Sequence, residues 1–177
     1  MSSHLDQLDH LQHGSSRQRQ AYATLRAHRV MELLHPYDPI LVGTIPIGID
    51  IASSDLDIIC CCADPEAFAQ ALHAHFGHAP GWRMRTRDQG GAWAVIANFH
   101  LDGFEVEVFA QDIPTRMQLG YRHMVVEHRL LAQHGAAFRA QIITLKEQGI
   151  KTEPAFAMVL GLAGDPYLAL LAFEGQD

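Results

Sequence analysis

The sequence predicts an α+β chain in which a small mixed, mostly antiparallel sheet is flanked by helices and followed by a helical segment from about residue 115. Three observations lead there. Apolar residues recur at helical spacing near both ends, at Tyr22, Leu25, Val30, Leu33 and Leu34 and again across residues 115–173. Between residues 40 and 110, short runs rich in Val, Ile, Phe and Trp are separated by Gly- and Asp-containing turns, the pattern of strands. One helical run, Asp64 to Phe76, divides the first two strands from three that are joined by tight turns, as in a βαβ-like start followed by an antiparallel meander.

Taken in order, residues 1–14 are polar and His-rich and end at Gly14, so they read as a flexible arm ahead of a single domain spanning 15–177. Ser15 or Ser16 can cap a helix that His35-Pro36 ends. Pro39 permits a short strand, Ile40 to Val42, running into Gly43-Thr44, and Leu56 to Cys62 is the next strand. Asp64 and Pro65 suit the N-cap and first position of a helix that Gly77 closes. Gly81 to Arg87, Ala92 to His100 and Phe104 to Ala110 read as strands, with turns at Asp88-Gln89-Gly90-Gly91 and Leu101-Asp102-Gly103. Helices are expected over Thr115 to His134 and Ala136 to Gln148, broken at Gly135 and Gly149. A last helix starts near Pro154, pauses at Gly164-Asp165-Pro166 and resumes from Tyr167 to Phe173.

The chemistry is concentrated between Leu41 and Ile59. Side chains alternate along a strand, so Asp55 and Asp57 project to one side while Leu56, Ile58 and Ile59 supply burial. Two carboxylates held side by side repel each other unless a hard divalent cation lies between them. Gly43 lets a phosphate approach the backbone with no Cβ in the way, and the Thr44 hydroxyl can donate to a phosphate oxygen. Farther on, Phe104-Glu105-Val106-Glu107-Val108-Phe109 presents two more carboxylates on one strand face.

Gly43-Thr44, Gly48 five positions after Gly43, and Ser54-Asp55-Leu56-Asp57 in register resemble the nucleotidyltransferase superfamily, the polymerase-beta-like fold. The Gly-Thr-Ile-Pro run, the Glu-x-Glu strand, Lys151 to Phe156 and Gly164 to Tyr167 further resemble an uncharacterised bacterial domain family of that fold, over about residues 15–173. The resemblance implies Mg2+, or Mn2+, held by Asp55, Asp57 and a third carboxylate, Glu107 before Glu105, with an NTP as donor substrate. Gly43, Thr44 and Ser54 would meet the nucleotide. Positions 45–51 carry no basic residue, so Lys151, Arg116 or Arg122 would have to bring positive charge from the helical segment; Gln118 and Arg122 share a helix face that would line an acceptor pocket.

A net charge of −7 argues against extended nucleic-acid binding, although Arg83, Arg85 and Arg87 alternate on one strand and can face an anion. No run is apolar enough to span a membrane and the first residues are polar, so a cytoplasmic location is expected. Cys60, Cys61 and Cys62 lack the spacing of metal ligands and read as small hydrophobes, and of the 12 histidines only His100 and His123 lie near the carboxylate strand. The expected activity is transfer of a nucleoside monophosphate from an NTP to a hydroxyl. The alternatives are a catalytically inactive module of the same fold that binds a nucleotide or a protein partner, and a metal-dependent phosphohydrolase.

Overall fold

The elements, in chain order, are α1 (Ser16–Ala27), α2 (Val30–Leu33), β1 (Ile40–Val42), β2 (Leu56–Cys61), α3 (Pro65–Phe76), β3 (Arg83–Gln89), β4 (Ala92–Leu101), β5 (Phe104–Gln111), α4 (Leu119–Glu147), α5 (Thr152–Leu160) and α6 (Pro166–Leu171). They are seen in a computed structural model that describes residues 4–89 and 92–175. The strands form one sheet in the order β1-β2-β5-β4-β3. β2 and β5 are parallel, and the other three pairs are antiparallel.

Period-two alternation gives the central strands two different faces. Leu56, Ile58 and Cys60 of β2 and Val106, Val108 and Ala110 of β5 pack with Leu25 of α1 and Phe68 and Leu72 of α3 in one core. Ile40, Val42 and Ile59 turn the other way and pack with Met124, Leu131 and Ile142 of α4 and Phe156 of α5 in a second core. Each such side chain, fully buried, contributes about 1.5–3 kcal/mol. Asp57 and Glu107 share the second face, where the α4–α6 layer leaves room beside them.

Local signals in the sequence explain most boundaries. Ser15 accepts from the Gln18 amide and the Gln18 side chain reciprocates on the Ser15 amide, a capping box. Asp64 Oδ1 accepts from the amides of Glu66 and Ala67 ahead of α3, and Asp165 Oδ1 accepts from Tyr167 and Leu168 ahead of α6. Gly135 breaks α4 as expected, at φ 77° and ψ −164°, a conformation other residues avoid.

Several expectations are corrected. The first helix does not run to residue 34: Arg29 stands at φ 52° and separates α1 from α2. Leu119 begins α4 after a separate 3-10 turn at Thr115–Met117, and α5 starts at Thr152, two residues ahead of Pro154. Gly90 and Gly91 of the expected hairpin turn lie outside the described residues. Residues 4–14 are not a loose arm. They form 3-10 turns at His4–Asp6 and Asp9–His13, with Leu5 in the second core and Leu11 in the first. Burial of these two leucines supplies the ordering energy that a polar composition does not suggest. Among the described residues no helix is long and apolar enough to cross a membrane.

Leu11 is completely buried. Leu11→Ala should therefore lower unfolding free energy by about 2–5 kcal/mol in a denaturant titration; a change near zero would restore the flexible arm.

Candidate functional site

The site is built by register. Asp57 of β2 lies directly opposite Glu107 of β5, Val42 pairs with Asp57 on the other side, and Asn98 pairs with Glu107. One row across the sheet thus reads Val42, Asp57, Glu107, Asn98, Arg83. The Asn98 amide donates to Glu107 Oε2 at 3.1 Å and, less closely, to Glu105 Oε1 at 3.4 Å. Arg83 donates to Glu105 Oε1 at 2.5 Å, whereas the Arg85 guanidinium stands 3.8 Å from Glu107 and bonds Asn98 Oδ1 instead. Glu105 is thereby engaged by an arginine outside the cleft, while Glu107 faces into it.

Between this row and the α4–α5 layer lies a cleft of about 840 Å³. Gly43, Thr44, Ser54, Asp55, Asp57 and Glu107 line its sheet side. His123, Glu127, Lys146, Lys151 and Glu153 line its helical side. Gly43 is required twice over: its φ is 80°, and a Cβ there would sit 2.6 Å from Asp57 Oδ2. The missing side chain lets the Asp57 carboxylate lie against the backbone. Thr44 Oγ1 and Ser54 Oγ are 3.2 Å apart, and the Ile51 amide donates to Ser54 Oγ, which closes the intervening loop and brings Gly43-Thr44 beside the aspartates.

That loop explains where positions 45–51 point. Ile45, Ile47 and Ile49 are buried, and Gly48 turns the chain at φ 68°. Gln18 Nε2 donates to the Ile45 carbonyl at 2.8 Å and Arg139 Nη1 to those of Ile47 and Gly48, while His10 Nε2 reaches the Pro46 carbonyl at 3.1 Å. Arg17 Nη2 holds the Ser54 carbonyl at 2.6 Å.

Crowded charge perturbs the cleft. Burial, then the charges of Asp55 and Glu107, push the Asp57 carboxyl up to about 7, with Lys146 opposing. Burial and Glu153 push Glu127 well above the usual carboxylate range. Burial lowers Lys146, against the pull of Glu127, Asp50, Glu153 and Asp55. An all-carboxylate oxygen set fits a hard divalent cation such as Mg2+. Among the described residues, no three Asp, Glu, His or Cys side chains are already gathered around one point, so a cation would have to draw Asp55, Asp57 and Glu107 together against their repulsion.

Gly43, Thr44, Ser54, Asp55, Asp57, Glu107 and Lys151 meet in the cleft; Arg122 does not. Arg122 Nε and Nη2 bond both oxygens of Glu174, at 2.8 and 2.6 Å. Arg116 is held between Asp6 and Asp38, and His100 lies outside the cleft with its ring over Gly81. Gln118 reaches the cleft, but its amide is spent on the carbonyls of Cys60 and Ile113. Sequence reasoning passed over Lys146, Glu127 and Glu153. The signal was there for two of them: Glu127 sits on the apolar stripe of Met124 and Leu131, and Lys146 is one helical turn after Ile142.

The family model described as "Domain of unknown function (DUF4269)" matches residues 23–173. No curated protein matches. Among solved structures, the RNA terminal uridylyl transferase Cid1 is similar at a TM-score of 0.55 and 10% identity, over 75% of this chain and 41% of that one. Cid1 described as a poly(U) polymerase with MgGTP bound gives 0.53 and 10%, over 72% and 41%, and the GLD-2/RNP-8 complex gives 0.52 and 13%, over 86% and 57%. The chain spans about half the length of these proteins or less, and what it shares with them is the nucleotidyltransferase fold.

Between its ordinary value of 3.8 and about 7, the folded state holds a proton on Asp57 that the unfolded chain has lost. Without metal, stability should therefore fall as pH rises through that window, by roughly 2–4 kcal/mol, and stay low above it. Glu127 acts with the same sign. Thermal melts from pH 4 to 8 should lose the Asp57 share of this slope in Asp57→Asn and keep that of Glu127, and an unchanged slope would mean that Asp57 does not contribute.

Proposed function

The chain belongs to the DUF4269 family, and we propose that it is a Mg2+-dependent nucleotidyltransferase that moves a nucleoside monophosphate from an NTP to a hydroxyl on an acceptor. The observation that supports this reading best is the placement of Asp57 opposite Glu107, with the Gly43 backbone packed against the Asp57 carboxylate. In this reading the acceptor oxygen attacks the α-phosphorus and forms a P–O bond as the α–β bridge breaks. Pyrophosphate leaves, and the hydroxyl proton passes to the Asp57–Glu107 pair. A divalent cation held by Asp55, Asp57 and Glu107 would neutralise phosphate charge and lower the pKa of the hydroxyl.

The remaining residues bind and orient. The Gly43 backbone and the Thr44 hydroxyl receive phosphate oxygens, and the Thr44–Ser54 contact keeps that turn beside the aspartates. Lys146 and Lys151, with the first-turn amides of Thr152 and Glu153 in α5, meet the terminal phosphates. Lys146 supplies the positive charge that positions 45–51 lack. The second reading, a non-catalytic module binding a nucleotide or a protein, draws on the same loop, since its isoleucines are committed to the core.

Incubation with α-labelled NTPs, Mg2+ and candidate acceptors from a cell extract should label a product. Asp57→Ala should reduce labelling at least about a hundredfold with the fold retained. Lys146→Ala should raise the apparent KM for NTP about tenfold, and Arg122→Ala should change neither parameter. Tight NTP binding with no labelling from any of the four NTPs would replace this reading with the module.

A further inference from the structure

Once the carboxylate row is assigned to a cation and the two lysines to phosphate, the helical wall of the cleft still holds Glu127, Glu153 and His123, which that reaction leaves without a task. Glu127 is 3% exposed, faces the cleft, and has no ion-pair or hydrogen-bond partner among the described residues. His123 donates from Nε2 to the Tyr167 carbonyl at 3.1 Å, which leaves Nδ1 of the neutral ring as an acceptor. That nitrogen faces Glu153 Oε1 at 3.6 Å. With the ring neutral these are two acceptors, which repel unless a donor sits between or beside them; with the ring protonated they pair.

The hard cation is already assigned to the carboxylate row, and these groups mix an imidazole nitrogen with two carboxylates on the opposite wall. A larger donor is needed, with several N–H groups pointing in different directions. A protonated primary amine has three. We propose that Glu127, Glu153 and Nδ1 of His123 form an ammonium subsite, and that the acceptor hydroxyl belongs to a small molecule carrying a primary amine. The subsite stands on the geometry of the wall, whereas the acceptor assignment rests on the nucleotidyl-transfer reading.

Charge in the cleft agrees with this choice. Five carboxylates line it, Asp55, Asp57, Glu107, Glu127 and Glu153, against two lysines. A polyphosphate acceptor such as an RNA end would meet this wall with repulsion. Lys146 is the cation that Glu127 feels most, so phosphates drawing on Lys146 would free Glu127 for the ammonium. Because burial and Glu153 hold the Glu127 proton tightly, an arriving ammonium should displace it.

The test is isothermal titration of the whole chain, with Mg2+ and inorganic pyrophosphate present, using 3-amino-1-propanol, 1-propanol and a single-stranded oligonucleotide. The amino alcohol should bind saturably and release a proton, read from buffers of different ionisation enthalpy, and 1-propanol should not bind. Glu127→Gln and Glu153→Gln should each weaken amine binding about tenfold. Glu153 is partly exposed, so its variant tests the subsite even if the Glu127 variant misfolds. Equal binding of amine and alcohol, binding indifferent to both substitutions, or preference for the oligonucleotide would overturn the subsite. A separate assay with α-labelled ATP keeps the two readings apart. Asp57-dependent labelling without amine selectivity removes the subsite and leaves nucleotidyl transfer, while amine binding without labelling keeps the subsite and removes the acceptor assignment.

Discussion

The parallel pairing of β2 with β5 is the constraint on which the cleft depends. It puts Asp57 and Glu107 side by side, and neither residue could be moved alone. Side chains alternate strictly, so a slip of one residue would turn either carboxylate into the core against α1 and α3 and expose Ile58 or Val108 in its place. Burying an unpaired carboxylate costs several kcal/mol, so the apolar neighbours enforce the register that brings the charges together. Parallel strands need a long crossover; here α3 and the β3–β4 hairpin supply it, and α3 also covers the opposite face.

Fold stability thus supports an arrangement that is electrostatically costly by itself. Burial and the charges of Asp55 and Glu107 raise the proton affinity of Asp57, and the protein offsets this only in part. Asn98 gives Glu107 a neutral donor, Arg85 stays at the margin of ion-pair distance, and Lys146 contributes from across the cleft. Glu105, one strand position away, has a direct arginine partner. The difference between the two glutamates is therefore one of compensation: both project from one sheet face, and the satisfied one lies beyond the edge of the cleft while the less satisfied one lines it.

The sequence made the sheet side of the site legible and the helical side much less so. Gly43, Thr44, Asp55, Asp57 and Glu107 are close in the chain or lie on strands whose period is unmistakable, so their common face follows from alternation. Lys151 was found because it precedes a helix start. Arg122 lies outside the cleft, bonded to Glu174, 52 residues away, and helix periodicity could not show this because it says which residues share a face but not which face meets the sheet. Lys146 and Glu127 were legible in principle, as charges on an apolar stripe. The packing of residues 4–14 was also legible in principle, since Leu5, Leu8 and Leu11 recur every three residues, the period of the 3-10 turns that bury them, but so short a run among polar neighbours is a weak signal.

The loop from Gly43 to Ser54 has its supports in distant parts of the chain. His10, Arg17 and Gln18 hold it from the N-terminal side, and Arg139 from the second half of α4. The similarity that defines the family begins at residue 23, beyond three of those four contacts. A fragment trimmed to the family boundary would keep every cleft carboxylate and still release the carbonyls of Ile45, Pro46 and Ser54, leaving the turn at Gly43 free to drift from Asp57. In this chain the unit recognised by resemblance is smaller than the unit that keeps the site in shape.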